Sequence, residues 1–197
     1  MNASVLASPD LLAILPEILV VILVGVILLV DVLSKHSAKN LLGWMASGGL
    51  LLILIIKIVF LYPGDRQGYA WGEMIVVDAA AFFFQVLILI GAIITIVLTI
   101  DQKKFKISAE YYALLLISSI GMSFMAAASN LIMLYLAIET TSIPLYALAG
   151  FNKQDNKSVE SGLKYLLFGA MTSAFMLYGF SFLYGFSGST NLSVISK

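Results

Sequence analysis

The chain alternates between long apolar stretches and short polar intervals, and six stretches are long enough to cross a bilayer as helices. They cover residues 11–32, 41–62, 79–100, 111–128, 131–150 and 161–184. The first would be about 33 Å long at the rise of an α-helix. Ser8-Pro9-Asp10 ahead of it reads as a cap with proline in the first turn. Asp78 is the expected N-cap of the third stretch. Only Ser129-Asn130 separates the fourth from the fifth, so these two are expected to be antiparallel neighbours. A Gly/Ser-rich tail, GFSGSTNLSVISK, follows the sixth. No amphipathic strand pattern and no soluble domain is visible. The pattern predicts an all-α fold, a polytopic transmembrane bundle of six membrane-spanning helices forming one domain over residues 1–197.

The polar intervals carry the orientation. Lys35 and Lys39 follow the first stretch, Lys103, Lys104 and Lys106 the third, and Lys153 and Lys157 the fifth. The other side holds only Arg66 and the terminal Lys197. Cytoplasmic loops are enriched in Lys and Arg, so the lysine-rich loops are expected in the cytoplasm and both termini outside, in a plasma or inner membrane. Tyr62, Tyr69 and Trp71 fit an outer aromatic belt, and Trp44 and Tyr111 an inner one.

Composition narrows the chemistry. The chain is 61% hydrophobic and only 11% charged, against about 25% charged for soluble domains. Its mean hydropathy is +1.03. It is therefore read as an integral membrane protein with the lipid bilayer as its surroundings. Net charge is zero, so nucleic acid is not an expected partner. Without cysteine there is no thiolate nucleophile, iron–sulfur ligation or cysteine-ligated zinc. The single histidine, His36, lies in a polar interval, which argues against a histidine metal site. No metal or bound cofactor is expected in this chain. The first ten residues lack the Lys or Arg that begins a signal peptide.

One apolar stretch carries a charge at mid-depth. In LIMLYLAIETTSIPLYALAGF, Glu139 lies near the centre of the bilayer, where an ionised group needs a partner, water or a task. Five residues on comes Pro144, whose missing N–H deprives the Thr140 carbonyl of its helical partner. At about 100° per residue, Tyr135, Ser142 and Tyr146 share the Glu139 side and form a polar stripe. Small residues on the fourth stretch (Ser118, Ser119, Gly121, Ser123) and the sixth (Gly169, Ala170, Thr172, Ser173, Ala174) fit close helix packing.

Two lysines remain inside the apolar stretches, Lys57 and Lys164. Lys57 is one turn from the outer end of its helix and is expected to snorkel to the headgroups. Glu17, behind Pro16, reads either as interfacial or as a buried helper. Lys164 has two readings. It can pair at i,i+4 with Glu160, or it can reach toward Glu139 on the preceding helix. Counted from the inner surface, Glu139 is about 16 Å deep and Lys164 about 7 Å, leaving a gap of about 9 Å for the lysine stem and a water. A static ion pair that braces two helices is the alternative to function for both.

The segments SNLIMLYLAIETTSIPLYALAGF and SVESGLKYLLFGAMTSAFMLYGFSFLYGFSGSTNL resemble the antiporter-like membrane subunits of NADH-quinone oxidoreductase, respiratory complex I, and among them the subunit N family. YYALLLISSIGMSFMAAASN and the DLLAILPEILV start fit the same family, so the resemblance spans essentially the whole chain, more loosely before Glu110. It implies that Glu139 and Lys164 match a central charged pair of a proton-translocation half-channel. It also implies that other membrane subunits of the complex are partners, and that NADH, FMN, iron–sulfur clusters and quinone belong to partner subunits. Family members are longer, with two inverted repeats. The chain thus reads as a portion of such a subunit, a fragment or a split-gene product, holding less than one half-channel.

The expected function is proton translocation in the membrane arm, coupled to electron transfer elsewhere and to protonation of Glu139 tuned by Lys164. The enzyme activity would belong to the complex, with no redox chemistry in this chain. A subunit of a cation/proton antiporter or membrane hydrogenase shares the same charges and stays open as an alternative. So does a non-transporting membrane scaffold.

Overall fold

The computed structural model describes residues 9–34, 39–64, 68–100 and 108–197. Among them six helices are long and apolar enough to cross a membrane. In chain order the elements are α1 (Pro9–Ala13), α2 (Leu15–Leu33), α3 (Lys39–Phe60), β1 (Gly68–Ala70), β2 (Ile75–Val77), α4 (Ala79–Ile100), α5 (Ala109–Ala127), α6 (Leu131–Ala149), α7 (Asn156–Ser187) and α8 (Leu192–Ile195). The all-α bundle expected from the hydropathy pattern is what forms. Lys35, His36, Arg66, Lys103, Lys104 and Lys106 lie outside the described residues.

The differences are at the ends of elements, where local chemistry decides. The first apolar stretch is not one helix. Pro16 has no N–H and its ring crowds the carbonyl four residues back. The chain turns at Ile14, and Pro16 sits in the first turn of α2. α7 is longer than its apolar part. Asp155 caps it by accepting from the Lys157 N–H, and Gly188 ends it in the left-handed conformation at φ +67° that glycine tolerates. Asp78 caps α4 as expected, accepting from the Ala81 N–H at 2.7 Å. Asn130 caps α6 through the Ile132 N–H.

A two-stranded antiparallel hairpin, β1–β2, pairs Gly68 with Val77 and Ala70 with Ile75. No strand was expected, and three residues are too few for alternation to register. Asp10 holds the hairpin tip to α1, accepting from the Trp71 N–H and, through its carbonyl, from the Trp71 indole. The tail is also structured. Asn191 bridges to Asn130, and the Leu131 N–H donates to the Thr190 carbonyl. The hairpin, the α5–α6 turn and the tail therefore gather at one end of the bundle, called the hairpin end below.

The core lies among α2, α3, α4 and α5. Val20, Val24 and Ile27 meet Leu42, Ala46 and Leu50, with Leu89, Ala92 and Ile96 and with Tyr112, Leu116 and Ile120. Spacings of three and four put each set on one helical face. α6 packs on α5, and α7 lies outermost, packed chiefly on α6. Their outward apolar faces suit contact with lipid or other apolar surfaces.

Candidate functional site

Glu139 sits in the middle of α6, half-buried, and its Oε1 is enclosed without a hydrogen-bond partner. Close packing on α5 surrounds it. A β-carbon on Gly121 would fall 2.5 Å from the Thr141 N and 2.8 Å from the Thr140 carbonyl carbon, so only glycine allows α5 to come this near the backbone beside Glu139. On α5, the Ser118 Oγ is likewise buried and unpartnered. A buried polar atom without a partner is a point where water would be stabilised, and α5 and α6 each hold one.

Pro144 is buried inside α6, which stays helical through it. It supplies no N–H to the Thr140 carbonyl. The threonine hydroxyls do not turn outward to a neighbour. Thr140 donates to the Leu136 carbonyl at 2.7 Å and Thr141 to the Ala137 carbonyl at 2.9 Å. Such bonds back to i−4 satisfy the hydroxyls within the helix.

Tyr135, Ser142 and Tyr146 are half-buried, as Glu139 is. The Tyr146 end of this set faces α7. The Tyr146 ring meets Tyr165 edge-on at 4.7 Å between centroids and covers Gly169. Gly162 lies against the backbone of Gly150.

These contacts place Lys164, and the expected reach to Glu139 is not made. Lys164 lies between Gly162 and Gly169, hence at the level of Tyr146 to Gly150. Glu139 is seven to eleven residues away along α6, about 11–16 Å at the helical rise. That exceeds the span of a lysine stem. Lys164 instead forms an ion pair with Glu160, and both side chains are largely exposed. The i,i+4 reading is the one the structure adopts.

A second polar cluster was not assembled by sequence reasoning. Lys57 does not snorkel. It is 4% exposed, donates to Gln85 Oε1 at 2.7 Å and stands 5.7 Å from the Phe82 ring centroid. Gln85 in turn donates to the Ser123 carbonyl. Glu17 is also 4% exposed, which settles it as buried rather than interfacial. Its Oε1 accepts from the Ser123 hydroxyl, and its Oε2 is enclosed without a partner. Glu17 lies in the first turn of α2 and Lys57 in the last turn of α3, the helix ends whose dipoles favour an anion and a cation respectively. The only signal for this cluster was the presence of charged and amide residues in three apolar stretches.

Comparison with known proteins gives a consistent result. Residues 128–197 match the family model described as NADH:quinone oxidoreductase/Mrp antiporter, transmembrane. The chain is 36% identical over 185 residues to NADH-quinone oxidoreductase subunit N of Rhodospirillum rubrum, covering 93% of this chain and 38% of that protein. It is 41% identical over 184 residues to the subunit N of Pelagibacter ubique, covering 92% and 38%. The F(420)H(2) dehydrogenase subunit N of Methanosarcina mazei is 32% identical over 194 residues, covering 95% and 39%. Among solved structures, a chain of respiratory complex I from Thermus thermophilus with bound aureothin superposes with a TM-score of 0.72 at 28% identity, covering 90% of this chain and 38% of that one. A chain of the archaeal membrane-bound sulfane sulfur reductase shares the fold, with a TM-score of 0.76 at 24% identity and coverages of 93% and 39%. The chain spans about two fifths of the length of the curated relatives it matches.

Proposed function

We infer that this chain, an antiporter-like membrane subunit of the NADH-quinone oxidoreductase subunit N type, takes part in proton translocation through Glu139. The observation that supports the reading is the carboxylate midway along the apolar helix α6, with an enclosed, unpartnered oxygen. A carboxylate within an apolar, membrane-spanning helix is rare and marks a functional site, and a carboxyl there is chemically able to carry a proton. Glycine-mediated contact with α5 and the missing bond at Pro144 leave the adjacent backbone able to respond to its protonation.

Electron transfer in partner subunits would drive the cycle, and this chain would hold no redox cofactor. Its working surroundings would be other membrane subunits of a respiratory complex in a plasma membrane, with the Lys153 and Lys157 loop cytoplasmic. Lys164 would act on Glu139 through space or along Ser142 and Tyr146, after exchange with its present partner Glu160.

The test is Glu139→Gln in the full-length subunit within its complex. Assembly should persist, while proton translocation and coupled quinone reduction fall. Normal pumping by an assembled variant would remove the carboxylate from the mechanism.

A further inference from the structure

We propose that Glu17 and Lys57 form a second proton-exchange site within the membrane, served by water through a cavity beneath the β1–β2 hairpin. The cavity measures about 430 Å³, and its wall includes Lys57, Phe82 and Gln85 on the inner side and Tyr62, Tyr69 and Asp78 from the hairpin end. It is far larger than the roughly 30 Å³ a water occupies in the liquid. Behind Lys57 lies a separate void of about 10 Å³, lined by Glu17, Lys57, Ser119 and Ser123. That is close to the smallest space that holds one water.

Glu17 and Lys57 line the same void, feel each other electrostatically and form no direct ion pair. The Glu17 Oε2 is buried without a partner. One water in the void could donate to Glu17 Oε2 and accept from Lys57. Pro16 and Lys57 line both spaces, so Lys57 is the polar group at the joint between the outer cavity and the carboxylate. Its amide partner, Gln85, is anchored on the Ser123 carbonyl, and Ser123 holds the other Glu17 oxygen. The groups facing Glu17 are thus Lys57 from α3 and Ser119 and Ser123 from α5. Gln85 holds Lys57 from α4, and Asp78, Tyr62 and Tyr69 lie farther out on the cavity wall. A bulk proton entering from the hairpin end would reach Glu17 without passing Glu139.

A hydrophobic carbodiimide tests this, because it modifies only protonated carboxyls inside a membrane. Membrane vesicles of both orientations containing the unaltered chain are treated with the pH on each side set independently, and adducts are located by peptide mass spectrometry. Adduct at Glu17 should form and should be lost as the pH on the hairpin side is raised with the other side held constant. Absence of adduct at every pH, or a yield that ignores the hairpin side, would overturn the proposal. Phe82→Cys provides a second measurement in a chain with no native cysteine. A small impermeant thiol reagent should label it from the hairpin side, and protection from that side would contradict the water path. Neither readout depends on whether Glu139 carries protons.

Discussion

Gly162 of α7 lies against the backbone of Gly150 of α6: a β-carbon at 162 would fall 2.7 Å from the Gly150 Cα and 2.8 Å from its N. Seven residues on, a β-carbon at Gly169 would meet the Tyr146 hydroxyl at 2.1 Å. The outermost helix is thus docked at two glycines two turns apart, the close approach that small residues permit in membranes.

The two glycines are not equivalent. At Gly162 the obstacle is backbone, which cannot move without shifting a helix. At Gly169 it is the tip of a side chain, braced by Tyr165. Gly162→Ala should therefore cost more, about 1–3 kcal/mol as for overpacking, and Gly169→Ala less. Tyr146→Leu should rescue part of the Gly169→Ala loss and none of the Gly162→Ala loss. Thermal denaturation in detergent, with cysteine cross-linking between α6 and α7, measures both. Equal cost at the two sites would contradict the backbone contact.

The buried Lys57 is expected to govern stability through what its loss leaves behind. Lys57→Met removes the nearest cation from Glu17 and the donor from Gln85. Breaking a buried charge arrangement from one side costs about 3–5 kcal/mol, while replacing both members is often neutral. Lys57→Met should lower the melting temperature, and Lys57→Met with Glu17→Gln should recover most of it. An additive double variant would mean that the two residues are uncoupled.

Lys57 also shows what a sequence reader can see. The Asp78 cap was legible because a cap acts within three residues, and Glu139 because a lone carboxylate in an apolar run is conspicuous. Lys57 was misread, because snorkelling is judged from one helix alone and its burial comes from Gln85, 28 residues away on another. Lys164 was half-read. The i,i+4 partner was visible, but its depth relative to Glu139 depends on the Gly150–Gly162 contact, which fixes how far α7 slides along α6. The hairpin was missed because its strands are only three residues long, and its turn is held by long-range bonds from Trp71 to Asp10 and from Ser129 to Met74.

The gathering of loops at one end makes a topological prediction. Tyr69 is exposed on the hairpin, Ser196 on the tail and Lys153 in the α6–α7 loop. Cysteines at Tyr69 and Ser196 should react with an impermeant thiol reagent from one side, and a cysteine at Lys153 from the other. From the lysine distribution, the Lys153 loop is expected on the cytoplasmic side. Labelling of Tyr69→Cys and Lys153→Cys from the same side would rule out the six-span arrangement in the membrane.

Distance fixes how much Lys164 can do for Glu139. Two unit charges 11–16 Å apart interact by about 1–1.5 kcal/mol at an effective dielectric of 20, against about 4 kcal/mol at contact. Lys164 is also largely exposed and paired with Glu160, so from its present position its action on Glu139 is weak. Lys164→Ala should therefore lower proton translocation less than Glu139→Gln, which removes the proposed proton carrier. Glu160→Gln separates the two positions open to the lysine. It frees the ammonium from the partner that holds it at the surface. If coupling needs Lys164 to leave Glu160, Glu160→Gln should pump at least as well as the unaltered subunit, and Lys164→Arg should retain function, since a guanidinium keeps the charge without giving up a proton. The measurement is proton uptake with coupled quinone reduction in vesicles carrying the full-length subunit, with assembly checked in parallel. Loss of pumping in Lys164→Arg while Lys164→Ala stays active would contradict the electrostatic role, and loss as complete in Lys164→Ala as in Glu139→Gln would require a working state in which the two residues are in contact.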